Sequence, residues 1–306
     1  MKPEGPSHHN RDIAAPGLAA VRLGVVGFVV AISLVGLASH WIGIYPFDMA
    51  DYWDAATRLR DGQPLYQAGP GDRVSEFRYA PWFACAWIPL TYLDRDVVTT
   101  AWIVLLAACT AAVVFDVGRR GLAGVAVAIL LGAQLLWWVR GGNVQPLMVA
   151  LLYFGIRTRA GPLAVAIAAT LKVVPLAFVL VYAARRQWGR VALTAGLAVL
   201  LAAPILAHDL SNFGQGVDTA ATNLSLFRVS PVLWAVGGMA VLFVTGAGVL
   251  MRWRSVPFWT ALTAVVALPR LFIADMTLML VAIGASDDAA AGDSAKPRPL
   301  SRSTES

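Results

Sequence analysis

Residues 161–184 read GPLAVAIAATLKVVPLAFVLVYAA, an apolar run that carries Lys172 and Pro175 near its middle. The run is long enough to cross a bilayer, since about 20 apolar residues suffice for one transmembrane helix. Basic turns flank it on both sides, at 157–159 and 185–190. Such turns lie on the cytoplasmic side of membrane proteins, and a straight helix would separate them. We therefore predict a helix that is broken between Lys172 and Pro175, enters the membrane part-way and returns.

The composition of the whole chain is that of an integral membrane protein. Its 306 residues are 58% hydrophobic and 14% charged, with a mean hydropathy of +0.67, whereas soluble domains carry roughly 25% charged residues. The apolar runs suffice for about eight or nine crossings or half-crossings. The net charge of +6 comes from short arginine clusters between these runs. Such clusters indicate cytoplasmic turns and give no reason to expect nucleic-acid binding.

The sequence divides into three segments. Residues 1–17 are polar and are predicted to be a disordered cytoplasmic N terminus, and residues 285–306 are predicted to be a disordered polar tail. Between them, residues 18–284 are predicted to form one all-α domain. It is a polytopic transmembrane helical bundle with broken or re-entrant helices. Its outer-face loop, about residues 40–96, is predicted to carry short amphipathic helices.

The loop after the first span is acidic and aromatic, which places it on the outer face. Between residues 40 and 80 it holds six acids against four arginines, and its core reads FDMADYWDAA at 47–56. Asp48 is predicted to open a short helix, where a carboxylate can act as general base on an acceptor hydroxyl. Asp51 and Asp54 are the alternatives for this role. Capping of the helix explains the same carboxylates equally well without any catalysis.

Several basic residues are candidates for binding a phosphate group. Lys172 is the first of them. An ammonium within an apolar run costs free energy, so a functional role is the default hypothesis for it. Snorkelling to the interface is its alternative explanation. Arg270 interrupts the last apolar region and either binds phosphate or pairs with Asp275. Arg140 and Arg228 lie in predicted outer loops, where a solvated surface role competes with phosphate binding.

Several short motifs recur along the chain in a defined order. No metal signature and no glycine-rich phosphate loop accompanies them, so the sequence predicts neither a metal nor a cofactor. The motifs are Asp48…Tyr52…Ala55-Ala56, Gly62-x-Pro64-x-Tyr66, Tyr79-x-Pro81, Gly142-Asn143-Val144-Gln145, Lys172-x-x-Pro175, the basic-Trp turn Arg185-Arg186-Gln187-Trp188, and Phe272-x-x-Asp275.

Through these motifs, over about residues 40–282, the chain resembles the GT-C class of polytopic glycosyltransferases. More narrowly, it resembles the polyprenol-phosphate-mannose-dependent α-mannosyltransferases of actinobacteria, and it is shorter than they are at its C terminus. The resemblance implies that Asp48 is the catalytic base. The glutamine of the Gly-Gln-x-Asn turn of that family is displaced here, to Gln145.

The leading functional hypothesis is therefore a membrane glycosyltransferase. It would move a sugar, with mannose expected, from a polyprenyl-phosphate donor to a lipid or glycan acceptor on the outer face of the cytoplasmic membrane, with inversion. Lys172, Arg270, Arg140 and Arg228 would bind the donor phosphate. The acceptor or sugar would contact Tyr52, Tyr66, Tyr79, Asn143 and Asp275.

Two alternatives come from other classes of protein. One is a lipid or sugar transporter or flippase, since transporters also place charges at broken helices. The other is a catalytically silent scaffold of envelope glycan assembly. The three hypotheses differ in what they require: the enzyme needs Asp48, the transporter depends more on Lys172 and Arg270, and the scaffold depends on none of these side chains.

Overall fold

The computed structural model describes residues 47–66, 77–211, 225–269, 271 and 273–294. Within this part of the chain every regular element is helical. The α-helices are α1 (Phe47–Arg60), α2 (Pro81–Trp87), α3 (Arg95–Gly118), α4 (Leu122–Gly141), α5 (Gln145–Gly155), α6 (Gly161–Leu171), α7 (Val179–Ala184), α8 (Trp188–Ala202), α9 (Leu226–Val229), α10 (Pro231–Met251), α11 (Val256–Val266) and α12 (Met279–Ser294), with 3-10 helices at Ile88–Tyr92, Val174–Phe178, Ala203–Ala207 and Ile273–Leu278.

Four helical segments are long and apolar enough to cross a membrane. They are α3, α4, α10 and the segment Trp188–Ala207, in which α8 continues into a 3-10 helix. Their length and hydropathy are those of membrane-spanning helices, as the sequence predicted. The first predicted span, from about Leu18 to Trp41, lies outside the described residues. Within the predicted outer-face loop, residues 81–92 form α2 followed by a 3-10 helix.

The predicted break in the stretch 161–184 is confirmed. Helix α6 ends at Leu171, and the backbone of Lys172 is extended (φ −142°, ψ 132°). Pro175 lies in the following 3-10 helix, since its ring and missing N–H prevent a continuous α-helix. The chain then turns back, because the Tyr182 hydroxyl in α7 donates to the carbonyl of Ile156 (3.1 Å), just before α6.

A second interruption separates α11 from α12 and contains Pro269. The chain resumes in a 3-10 helix at Ile273–Leu278 and continues into α12. Arg185 donates to the carbonyl of Ala285 in α12 (2.7 Å), which fixes α12 beside the end of α7. The sequence therefore predicted both interruptions, and the two stretches pack against each other.

The arginine turns between the helices gather at one end of the bundle, called here the arginine end. It comprises the turns 119–120, 157–159 and 185–190. Tyr182 joins the second turn to the third, and Arg120 and Arg185 donate to the carbonyls of Ile283 and Ala285 in α12. The buried carboxylate of Asp116 also lies there and accepts from Arg120 and from Tyr153 (both 2.6 Å). Because the Asp116 carboxylate is paired with Arg120 and hydrogen-bonded by Tyr153, it can lie within the helix packing.

Aromatic side chains fill the opposite end of the bundle, called here the aromatic end. Helices α1 and α2 lie over the ends of α3 and α6, with Tyr52, Phe83 and Trp87 buried together. The ring centroids of Tyr52 and Phe83 are 5.0 Å apart in an edge-to-face arrangement, which is the geometry that aromatic quadrupoles favour. The acidic segment of the sequence thus forms a lid of short helices over the bundle.

Close packing between α5 and α6 predicts the effect of one methyl group. A Cβ at Gly155 would lie 2.6 Å from the Cβ of Ala164, so Gly155→Ala must push the helices apart. We expect a loss of about 1–3 kcal/mol of stability, seen as a lower midpoint of thermal unfolding in detergent. Gly196→Ala in α8 is the matched control, since a Cβ there meets no other described residue within 4 Å. Equal midpoints for the two variants would contradict this packing.

Candidate functional site

The two interruptions meet at a cluster of polar side chains centred on Lys172. The Nζ of Lys172 donates to Oε1 of Gln145 (2.7 Å) and lies 3.4 Å from Oδ1 of Asp275. It also lies 5.3 Å from the ring centroid of Trp138 in α4, within reach of a cation–π interaction. The break at Lys172 thus brings an ammonium group into contact with three other parts of the chain.

Gln145 connects the two interrupted stretches. It is fully buried at the start of α5, and its Nε2 donates to the Thr277 hydroxyl (3.1 Å) while its Oε1 accepts from Lys172. Its own backbone N–H donates to Oδ1 of Asn143 (2.9 Å). Since both ends of the amide are bonded, the orientation of Gln145 is determined by its neighbours.

The ion pair of this cluster is largely removed from solvent. The side chain of Lys172 is 27% exposed and that of Asp275 only 6%. Removing two charges from water costs free energy that their attraction offsets only with good geometry and further hydrogen bonds. A buried pair at the junction of two broken helices is therefore a candidate for function rather than for stability alone.

A network of tyrosines joins this cluster to the acidic helix α1. The backbone N–H of Val144 donates to the Tyr52 hydroxyl (3.1 Å), which is also hydrogen-bonded to the hydroxyl of Tyr79 (3.1 Å). Tyr66 donates to the carbonyl of Tyr79 (2.8 Å). Val144 directly precedes Gln145, so α1 is connected to the Lys172 cluster through one residue of backbone.

Burial keeps these phenols neutral. Burial, reinforced by the hydroxyl of Tyr79 and the charge of Asp48, raises the pKa of Tyr52 well above its ordinary value. Burial also raises the pKa of Tyr79, with the charge of Asp48 adding to the effect. Both tyrosines therefore act as neutral hydrogen-bonding groups, and Asp48 lies close enough to influence each of them electrostatically.

The three carboxylates of α1 differ in their surroundings. Asp48, in the first turn, is half-buried and shares a helix face with Tyr52. Asp51 is also half-buried, whereas Asp54 is exposed and lies 3.6 Å from a guanidinium nitrogen of Arg95. Of the three, Asp48 is the one whose charge raises the pKa of both Tyr52 and Tyr79.

The predicted phosphate-binding residues do not all gather at the cluster. Of these residues, Lys172 lies in the cluster, where it pairs with Asp275. Arg140 is exposed and stacks on the Trp137 ring (5.9 Å), and Arg228 is exposed on α9. Arg270 lies outside the described residues. Tyr52, Tyr66, Tyr79 and Asn143 are buried and bonded within the protein, and their contact with a sugar stays a prediction.

Two residues of the cluster, Gln145 and Thr277, were not predicted as site residues. Gln145 was noted only as a displaced motif residue, and Thr277 carried no signal beyond being polar within an apolar region. Polar residues within apolar spans are the feature that would have found both of them. Among the residues that the structure describes, no group of three His, Cys, Asp or Glu side chains could hold a metal ion.

An apolar cavity of about 390 Å³ lies between α3, α5 and α6. Leu147 and Ile167 line it near the Lys172 cluster, and Phe154 and Leu163 line it toward the arginine end. Nearly all of its wall is carbon. Its lining includes the exposed side chains of Phe154 and Leu163, so the cavity is open on one side. A carbon-lined surface of this kind suits a hydrocarbon chain better than water.

A double-mutant cycle tests the coupling of Lys172 and Asp275. Lys172→Met leaves the Asp275 carboxylate buried without its ammonium, and we expect a loss of about 2–3 kcal/mol, at or below the range for fully buried pairs. Adding Asp275→Leu removes both charges and should restore most of this stability. The thermal midpoints of the two single variants and the double variant measure the effect. Additive losses would mean that the two side chains are not coupled.

Comparisons with protein-family models, with curated proteins and with solved structures find no match to this chain. The chemistry of the site is therefore that of its own side chains. These are the half-buried carboxylate Asp48, the tyrosine network, the ammonium of Lys172 with its partners, and the carbon-lined cavity between α3, α5 and α6.

Proposed function

We propose that this protein is a membrane glycosyltransferase that uses a polyprenyl-phosphate sugar, with mannose as the expected sugar. The observation that carries the proposal is the connection between Asp48 and Lys172. The Tyr52 hydroxyl beside Asp48 accepts from the N–H of Val144, and the next residue, Gln145, bonds Lys172. A carboxylate and an ammonium are the two charges that base-assisted displacement of a phosphate leaving group requires.

In this mechanism Asp48 takes the proton of an acceptor hydroxyl as its oxygen attacks the anomeric carbon. The bond between that carbon and the phosphate oxygen breaks, and the phosphate leaves with the electron pair. Lys172 stabilises the negative charge that develops on the phosphate. A single displacement of this kind inverts the anomeric configuration. It uses no metal, because an ammonium group can neutralise one phosphate charge.

The surroundings of Lys172 support its role with a lipid donor. The lining of the carbon-lined cavity includes Leu147, two residues after Gln145, and Ile167, five residues before Lys172. A lipid phosphate carries its charge and its hydrocarbon chain on adjacent atoms, so it needs a cationic group beside an apolar surface. The resemblance to the GT-C class and the location of the site on the extracytoplasmic face belong to the same proposal.

A lipid or sugar transporter is the second candidate function. The observation in its favour is the ion pair between Lys172 and Asp275, which joins two interrupted helices. Transporters build substrate sites from such helices. In a transporter, the carboxylates of α1 would be dispensable for turnover, whereas in the enzyme Asp48 is required.

Sugar transfer with an Asp48 variant tests the proposal. Membranes that contain Asp48→Asn should transfer radiolabelled mannose from polyprenyl phosphate to glycolipid or glycan about 10²–10⁴-fold more slowly than wild type, because the general base is lost. Asp61→Asn is the matched control. Asp61 follows the same helix, is exposed and bonds Arg60, so this variant should keep the wild-type rate.

The remaining outcomes distinguish the other hypotheses. Full activity of Asp48→Asn, with loss in Asp51→Asn or Asp54→Asn, would move the base to one of those residues. No transfer by folded wild-type protein with any polyprenyl-phosphate sugar would reject the enzyme. Flux of a lipid-linked sugar across vesicles that depends on Lys172 would then favour the transporter.

A further inference from the structure

Thr277 is fully buried at the Lys172 cluster and takes no part in the proposed chemistry. It lies two residues after Asp275, in the same 3-10 helix. Asp275 contacts the ammonium of Lys172 directly (3.4 Å). The Thr277 hydroxyl accepts from Nε2 of Gln145 (3.1 Å), and Oε1 of Gln145 accepts from Lys172. One short helix therefore reaches the ammonium by two routes, one direct and one through an amide.

The direction of the Gln145 amide is determined by its two partners. A lysine ammonium only donates hydrogen bonds, so the amide turns its oxygen toward Lys172 and its NH2 group toward Thr277. The Thr277 hydroxyl can accept that bond, whereas a methyl group in its place cannot. Gln145 and Thr277 are both fully buried, so bulk water cannot replace a lost partner. Without the hydroxyl, the amide would either keep an unpaired buried donor or turn away from Lys172.

The position of the Lys172 ammonium depends on its acceptors more than on its backbone. A lysine ammonium is carried on a flexible four-carbon stem, which leaves it many positions. Oε1 of Gln145 is the nearer acceptor, at 2.7 Å. Oδ1 of Asp275 lies at 3.4 Å, beyond the usual length of an N–H···O hydrogen bond. The short bond to Gln145 is therefore the contact that holds the ammonium in place.

A neutral amide at position 145 suits a site that also binds a phosphate. Asp275 already supplies one negative charge beside Lys172. A second carboxylate in place of Gln145 would make the pair and its new neighbour negative overall, and it would repel a phosphate. An amide oxygen orients the ammonium and carries no net charge. The glutamine thus positions the ammonium without neutralising it further.

We propose that Thr277 is a positioning residue of the phosphate site. It fixes the Gln145 amide, which holds the ammonium of Lys172 where the phosphate of a polyprenyl-phosphate donor binds. The role assigned to Thr277 rests on the proposed function, since it takes the donor phosphate as the ligand of Lys172. The affinity for that phosphate is then set in part by a hydroxyl that acts through another side chain.

Binding of polyprenyl phosphate to the full chain in detergent, measured by native mass spectrometry, tests this role. Thr277→Val keeps the shape of the side chain and removes the hydroxyl. We expect its affinity to be about fivefold weaker than that of wild type, the effect of one lost hydrogen bond. Thr277→Ser keeps the hydroxyl and should bind like wild type. Gln145→Glu should weaken binding more than Thr277→Val, because the added carboxylate repels the phosphate.

Thr245→Val is the matched control. The Thr245 hydroxyl makes a buried hydrogen bond to the hydroxyl of Thr263 (2.7 Å), which joins α10 to α11. The variant loses a bond of the same kind in a different interface, so its binding of polyprenyl phosphate should stay close to that of wild type. Equal weakening in Thr245→Val and Thr277→Val would mean a general loosening of the bundle and would overturn the assigned role. Unchanged binding in Thr277→Val, or no binding by wild type, would overturn it as well.

Sugar transfer separates a failure of this role from a failure of the proposed function. Thr277→Val should lower kcat/KM for the donor about fivefold and leave KM for the acceptor unchanged, whereas a merely structural role would alter both. Binding of polyprenyl phosphate that depends on Thr277, in a protein without transfer activity, would reject the enzyme and keep the phosphate site. Equal transfer by wild type and Thr277→Val would reject the role of Thr277 and keep the enzyme.

Discussion

The ion pair of Lys172 and Asp275 is the interaction around which the described bundle is organised. An ammonium within apolar helices must be paired or hydrogen-bonded, and its partners here come from separate parts of the chain. Asp275 belongs to the second interruption and Gln145 to the start of α5. Each interruption places a charged side chain among apolar helices, and the pairing of Lys172 with Asp275 satisfies both side chains. The polar cluster and the broken helices are thus one feature.

The aromatic end and the cluster constrain each other. Tyr52 can bond the N–H of Val144 only if α1 lies across the turn before α5. Trp102 in α3 donates to the carbonyl of Gly142 (2.7 Å), in the same turn. Gly142 itself adopts a left-handed backbone (φ 69°) that ends α4. The turn at 142–144 therefore receives bonds from two other elements, which holds Gln145 at the depth of Lys172.

The sequence predicted those features whose cause is local. A lysine and a proline inside an apolar run, with arginines on both sides, require a break at Lys172–Pro175 whatever surrounds it. The structure pairs Asp275 with Lys172, a residue 103 positions away, whereas Arg270, the partner expected from nearness in sequence, lies outside the described residues. Thr277 and Gln145 are 132 positions apart. Sequence shows that such polar residues need partners, but it does not show which helices will meet.

The return of the first interrupted stretch also bears on how this architecture can vary. Because Tyr182 in α7 contacts the residues just before α6, the chain leaves this stretch at the end of the bundle where it entered. Two half-helices joined by such a break add packing surface and a polar site without changing the direction of any later helix. A pair of half-helices like this can therefore be gained or lost while the orientation of the remaining spans is preserved.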